Sequence, residues 1–156
     1  MKVTILAVGR MKSGPEAALV SDYLDRFTKT GRALGLGPAD MREVEDRKSI
    51  GQAEEARLLA AALPDRATVV ALDERGKLLS SPDFSARLCD FRDRGVPELC
   101  FVIGGADGLT PDLRARADLS ISFGKMAWPH MLARVMLAEQ LYRAATIAAG
   151  GPYHRA

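Results

Sequence analysis

Short apolar runs rich in β-branched residues alternate along the chain with segments whose apolar residues recur at helical spacing. Lys2–Val8 reads as a first, buried β-strand, followed by a helix over 15–30 with Ala18, Leu19, Tyr23 and Phe27 on one face. Gly31 is a plausible C-terminal stop for that helix. Residues 32–44 are interrupted by Gly35, Gly37 and Pro38 and give either one strand or two short pieces. Ser49 can cap a helix that reaches Leu63 and is ended by Pro64. Residues 67–72 form a strong buried strand. Ser81-Pro82 then opens a helix ending at Gly95, with proline in the first turn where its missing N–H costs nothing. Glu98–Ile103 is another buried strand, Thr110-Pro111 starts a short helix to about Arg116, residues 119–123 form a last strand, and a long helix covers 129–149. This alternation predicts a single α/β domain over residues 1–156, with a largely parallel sheet and helices on both faces.

The long final helix is unusual in what it lacks. Between Met131 and Ala149 the only charges are Arg134, Glu139 and Arg143. Leu132, Val135, Met136 and Ile147 fall on one side, and Leu137, Leu141, Ala144 and Ala148 on the other. A helix apolar on two sides must bury both. One side can meet the sheet, and the same helix of a second subunit is the simplest cover for the other. Glu139 and Arg143, one turn apart, can pair within that surface.

Composition narrows the class. A chain of 156 residues with 47% hydrophobic and 27% charged residues has ordinary globular values and can bury roughly 70% of its unfolded surface. Two cysteines, Cys89 and Cys100, without CxxC spacing or a neighbouring histidine, argue against a disulfide framework or a zinc site and fit a reducing cytoplasm. The apolar start is short and meets Gly9-Arg10-Met11-Lys12 with no cleavage-site pattern, so it reads as a strand rather than a signal peptide. No run approaches the ~18 apolar residues of a membrane span. The net charge of +2 hides an uneven distribution. Residues 1–36 hold six Lys/Arg against three Asp/Glu, residues 37–124 twelve against sixteen, and residues 125–156 four against one. Ends that met in the fold would make a basic surface suited to a polyanion, although chance clustering of solvated charge gives the same counts.

Sites in such sheets form where loops leave the C-terminal ends of strands. Three loops qualify: Asp73-Glu74-Arg75-Gly76-Lys77, Gly104-Gly105-Ala106-Asp107-Gly108-Leu109, and Gly124-Lys125-Met126-Ala127-Trp128-Pro129-His130. Glycines in the second allow a ligand close to the backbone, yet the spacing matches neither a Walker loop nor the dinucleotide fingerprint, and a simple tight turn would look alike. Met126 and Trp128 in the third suit an adenine ring, or Trp128 packs under the sheet. His130 at a helix N-terminus is disfavoured as imidazolium, leaving a neutral ring able to take a proton, or is merely structural. The final Pro152-Tyr153-His154-Arg155 sets an aromatic, an imidazole and a guanidinium side by side, a grouping fit to stack on a base and grip a phosphate. Arg10, Lys12, Arg134 and Arg143 are further candidates for phosphate contacts.

Leu72-Asp73 after a strand, Ile103-Gly104-Gly105-x-Asp-Gly, the Gly124–His130 loop, Glu139-x-Leu141-Tyr142-Arg143-Ala144 and the final Pro-Tyr-His-Arg stand in an order that resembles the small SPOUT-class methyltransferases. The chain is most similar to the ribosomal RNA large subunit methyltransferase H family, which methylates N3 of a pseudouridine in bacterial 23S rRNA. The resemblance spans essentially the whole chain and is weakest over 31–60. It implies a SPOUT-type α/β knot, with a deep trefoil knot in the C-terminal part, and a cytoplasmic homodimer acting on the assembled 70S ribosome. It also implies S-adenosyl-L-methionine as cofactor, held at Leu72, Gly104, Gly124, Lys125, Met126, Ala127, Trp128 and Pro129, with no metal. His130, His154 and Arg155 are the catalytic candidates. Ala106-Asp107 replaces the Pro-Glu common in the family, shortening that acidic side chain by one methylene. Two other readings remain at this point: a ribosome-binding or assembly factor that keeps the knotted fold without chemistry, and an unknotted nucleotide-binding domain serving small molecules.

Overall fold

A computed structural model describes residues 1–45 and 50–155. Its elements run β1 (Lys2–Val8), α1 (Pro15–Gly31), a 3₁₀ turn (Arg32–Leu34), β2 (Ala39–Val44), α2 (Gln52–Ala62), β3 (Thr68–Leu78), α3 (Ser81–Asp93), β4 (Glu98–Ile103), α4 (Pro111–Arg116), β5 (Leu119–Ser122) and α5 (His130–Ala148). The strands form one sheet in the order β2-β1-β4-β3-β5, with every pairing parallel.

Alternation along each strand sorts its side chains between two cores. Val3, Ile5 and Ala7 of β1, with Leu99, Phe101 and Ile103 of β4, face α1, α3 and α5. Leu6, Val8, Cys100 and Val102 face α2 and α4 on the other side, where Leu59 and Leu113 meet them. Both faces are covered, which is why these strands read as continuous apolar runs. Burying each large side chain here stabilises the fold by about 1.5–3 kcal/mol.

Local punctuation matches the sequence at most ends. Ser80 caps α3 by accepting from the Asp83 backbone N–H at 3.1 Å, and Thr110 caps α4 by accepting from Leu113 N–H at 3.3 Å. Leu63 ends α2 ahead of Pro64, while the expected cap at Ser49 lies outside the described residues. Three expectations are refined. α1 ends at Gly31 as expected, but Gly31 keeps right-handed geometry and the chain runs on through the 3₁₀ turn, where Gly35, with φ +70°, makes the left-handed stop. The ambiguous stretch 32–44 resolves into that turn and a single strand, β2. The strand expected over 67–72 is longer, because β3 bulges after Leu72 and rejoins β5 at Lys77, so both residues pair with Ile121. Asp73–Lys77 is therefore a strand bulge rather than a free loop. Gly76 allows it: a Cβ there would lie 2.5 Å from the Ile121 carbonyl carbon.

Helix α5 buries one side. Leu137, Ala138, Leu141, Ala144 and Ala145 are at most 1% exposed against the sheet, α1 and α3. Val135 and Met136 on the other side are half-buried and Leu132 is 41% exposed. Ala148, expected with the buried set, is exposed at the helix end. Among the described residues no helix is long and apolar enough to cross a membrane.

Candidate active site

The carboxyl ends of β3, β4 and β5 surround a cavity of about 330 Å³. Its walls are the β3 bulge from Leu72 to Arg75, the glycine loop after β4, the Gly124–Trp128 loop after β5, and His130 and Ala133 of α5. Of the residues singled out in the sequence, Leu72, Gly104, Gly124, Met126, Ala127, Trp128 and His130 converge here; Lys125 and Pro129 belong to the same loop without lining the cavity.

Each wall is held from behind. Gly104 packs so closely on Gly108 that a Cβ would lie 2.6 Å from its carbonyl carbon, a separation no other residue tolerates. From α2, Gln52 Nε2 donates to the Asp107 carbonyl at 2.8 Å and to Leu109 at 3.3 Å. Glu55 abuts Gly105, and burial, with Asp107 nearby, pushes its carboxyl above the usual range. Arg114 donates to the Leu109 carbonyl at 2.8 Å and stands 3.9 Å from the nearly enclosed Asp73 carboxylate. Ser122 Oγ accepts from Gly124 N–H at 3.0 Å and pins the start of the third loop. Trp128 does not pack under the sheet: it is 45% exposed at the cavity, with Nε1 donating to the Phe123 carbonyl at 3.4 Å. Met126, 74% exposed, stands in the same loop. The result is a preformed slot with backbone donors and acceptors on one side and two adaptable apolar side chains at its rim, fitting a flat heterocycle.

His130 is the first residue of α5 and lies half-buried on the cavity wall. Its Nδ1 is buried and has no hydrogen-bond partner among the described residues. Burial, and secondarily the Arg134 cation, push its pKa below the ordinary histidine value. A neutral imidazole keeps one unprotonated nitrogen able to take a proton.

Arg134 itself corrects an expectation. It is 0% exposed, so it cannot meet a phosphate. Nη2 donates to the carbonyls of Val8 at 2.5 Å and Gly9 at 2.8 Å, and Nη1 to Glu43 at 2.7 Å. Sequence reasoning missed this anchor, though an isolated cation on an apolar helix was its signal.

His154 and Arg155 do not line the cavity of their own chain. The final residues fold onto α5, where Arg143 pairs with Glu139 at 2.6 Å as the spacing predicts. Tyr153 OH donates to Glu139 at 3.1 Å, and its ring centroid lies 4.8 Å from the Arg143 guanidinium carbon. Burial and Glu139 push the Tyr153 phenol up to about 12. His154 Nδ1 sits 3.5 Å from Arg143, its buried Nε2 has no partner among the described residues, and Arg155 is exposed. Arg143 is thus committed to this cluster.

A glycine-built slot over the carboxyl ends of a parallel sheet, with an imidazole on its wall, has the form of a ligand site of the α/β class. The family model described as "Predicted SPOUT methyltransferase" matches residues 1–154. The chain is 66% identical to the ribosomal RNA large subunit methyltransferase H of Ruegeria pomeroyi over 99% of both chains. It is 61% identical to the protein of that name from Paracoccus denitrificans, again over 99% of both. The fold is that of a probable methyltransferase from Bordetella pertussis Tohama I (TM-score 0.54, 15% identity, 92% of this chain and 96% of that one). It is likewise that of a probable methylase family protein from Haemophilus influenzae Rd KW20 (TM-score 0.53, 12% identity, 99% of this chain and 70% of that one). The chain belongs to the ribosomal RNA large subunit methyltransferase H family of SPOUT methyltransferases.

Proposed function

We propose that the protein methylates N3 of a pseudouridine in 23S rRNA, using S-adenosylmethionine and acting as a homodimer on the assembled 70S ribosome. The observation that carries this reading is His130: a neutral imidazole on the wall of the glycine-built cavity. Full-length identity to proteins named for rRNA methylation supports the RNA as substrate.

The cavity fits the cofactor. The backbone of the Gly104–Leu109 and Gly124–Trp128 loops would hold its adenosyl part, with Met126 and Trp128 against the base. When bound, it supplies an activated methyl group. What remains for the chain is positioning, which can supply most of the acceleration, and removal of the imide proton from N3. His130 accepts that proton. Tyr153, His154 and Arg155 lie off their own chain's cavity, which supports a role at the partner's: His154 stabilises the imide anion and Arg155 holds the nucleotide. The groove of about 520 Å³ beside Val135 and Met136 supports this arrangement, because it leaves the outer side of α5 to a second copy. The trefoil knot belongs to the same proposal.

The test is transfer of a labelled methyl group from S-adenosylmethionine to 70S ribosomes, separated subunits and naked 23S rRNA. Label confined to 70S particles is expected. Cofactor binding without label in any sample would overturn the substrate and favour an assembly factor.

A further inference from the structure

Between β1 and α1, Arg10 and Lys12 are exposed, and neither makes an ion pair among the described residues. Their loop leaves the sheet at the C-terminal end of β1, the same end as the cavity, because β1 and β4 run parallel. It starts against His130. A Cβ placed on Gly9 would lie 4.0 Å from His130 Cε1 and 3.9 Å from Arg134 Nη2.

An exposed loop bounded by Gly9 and Gly14 has little intrinsic stiffness, yet this one is tied from within. Arg134 takes the Val8 and Gly9 carbonyls, and Glu43 Oε2 accepts both from Arg134 at 2.7 Å and from the Met11 backbone N–H at 2.5 Å. Gly9 N–H donates to the Val44 carbonyl at 2.9 Å. Packing α5 on the sheet does not itself require a buried ion pair, since replacing both partners by apolar residues of similar volume is often neutral or better. What the ion pair adds is geometry: it reaches from α5 through β2 to the backbone between Arg10 and Lys12.

We propose that Arg134 is a positioning residue which, through Glu43 and the Val8 and Gly9 carbonyls, fixes the Arg10–Lys12 loop beside His130, where Arg10 and Lys12 grip backbone phosphates flanking the target nucleotide. This rests on RNA being the substrate. Arg10 offers a planar fork and Lys12 a compact point charge, both suited to phosphate oxygens. Glu43 of β2 is engaged by Arg134 and the Met11 N–H.

The experiment compares wild type, Arg10→Ala/Lys12→Ala, Arg134→Met, the three changes combined, and Lys29→Ala as a control at the far end of α1. The readouts are KM for 70S ribosomes, its salt dependence, cofactor affinity and amide exchange at Met11. Removing two phosphate contacts is expected to raise KM and to flatten the slope of log affinity against log salt by about 1.4–1.8. Cofactor affinity stays within about twofold, because the loss falls on substrate binding. Arg134→Met raises KM, speeds exchange at Met11, and adds nothing to KM once Arg10 and Lys12 are gone, as expected of residues acting in series. Glu43→Gln gives a weaker form of the same pattern and serves if Arg134→Met does not fold. An unchanged salt slope in Arg10→Ala/Lys12→Ala, with wild type active, overturns the phosphate grip. An additive Arg134 effect overturns the positioning role. A wild-type enzyme that binds cofactor but labels no RNA overturns the substrate reading, and this proposal with it.

Discussion

His130 and Arg134 sit one turn apart on α5 and flank the same backbone position at Gly9. Protonating the imidazole would set a second cation beside a buried guanidinium, where solvent screens poorly. Burial first, and this like charge second, lower the histidine pKa, and the ring stays neutral until the pH falls below its ordinary value of 6.5. Asp73, Glu74, Arg75, Asp107 and Arg114 are the other charged groups on the cavity. The acid limb of kcat/KM should accordingly fall below 6.5, and Arg134→Met, which removes the like charge, should move it upward. A pH–rate profile unmoved by that change would show that another group carries the proton. The stability linkage has the same sign: the unfolded chain binds this proton first, so the His130 contribution is whole above 6.5 and is lost as pH falls through the folded value. His130→Ala should cost about 10²–10⁴ in turnover at neutral pH, the range of a general base. Truncating Arg134 to Ala leaves Glu43 and two carbonyls without their partner, and urea unfolding should show a loss of about 3–5 kcal/mol, with Arg134→Met/Glu43→Leu closer to wild type. The histidine was legible in the sequence because a glycine loop and a proline announce the start of its helix. Arg134 was not, because helical spacing tells which residues share a face but not whether solvent reaches it.

At the scale of elements, the strands declare themselves because both faces are covered and the runs are uninterrupted. The β3 bulge does not. Asp73-Glu74-Arg75-Gly76-Lys77 has the composition of a loop, and its return to β5 depends on a backbone contact that no side-chain pattern records. Gly76 closes on Ile121, where a Cβ would lie 2.6 Å from the backbone nitrogen. Backbone cannot yield as a side chain does, so Gly76→Ala should separate β5 from the second half of β3. The expected cost is about 3 kcal/mol or more, among the large single-site effects. β5 leads directly into the Gly124–Trp128 loop, so the same variant should bind S-adenosylmethionine more weakly in calorimetry. Unchanged cofactor affinity would mean that the loop is held by Ser122 alone.

For the whole molecule, the two apolar sides of α5 separate cleanly. The side that meets the sheet is sealed, while the side bearing Leu132, Val135 and Met136 stays partly open beside a groove of about 520 Å³. The same helix places Arg143 and Glu139 under Tyr153 and His154, so both are held on α5 and neither lines its own chain's cavity. A second copy packed on this side would explain both observations. Met136→Glu should convert dimer to monomer in sedimentation and abolish transfer while sparing cofactor binding; monomers that still methylate would exclude a shared site. Deleting residues 153–156 should likewise remove activity and leave cofactor affinity intact. The pairing of Glu139 with Arg143 and the doubly apolar helix could be read from spacing alone. The separation of tail and cavity within one chain could not, because it depends on how α5 crosses the sheet. The proposed methyl acceptor is a single atom, and nucleoside-level mass spectrometry of 23S rRNA after 70S ribosomes are incubated with enzyme and S-adenosylmethionine identifies it. N3-methylpseudouridine is expected, formed about 10²–10⁴ times more slowly by His130→Ala; a methyl group on any other nucleotide would overturn the N3 assignment.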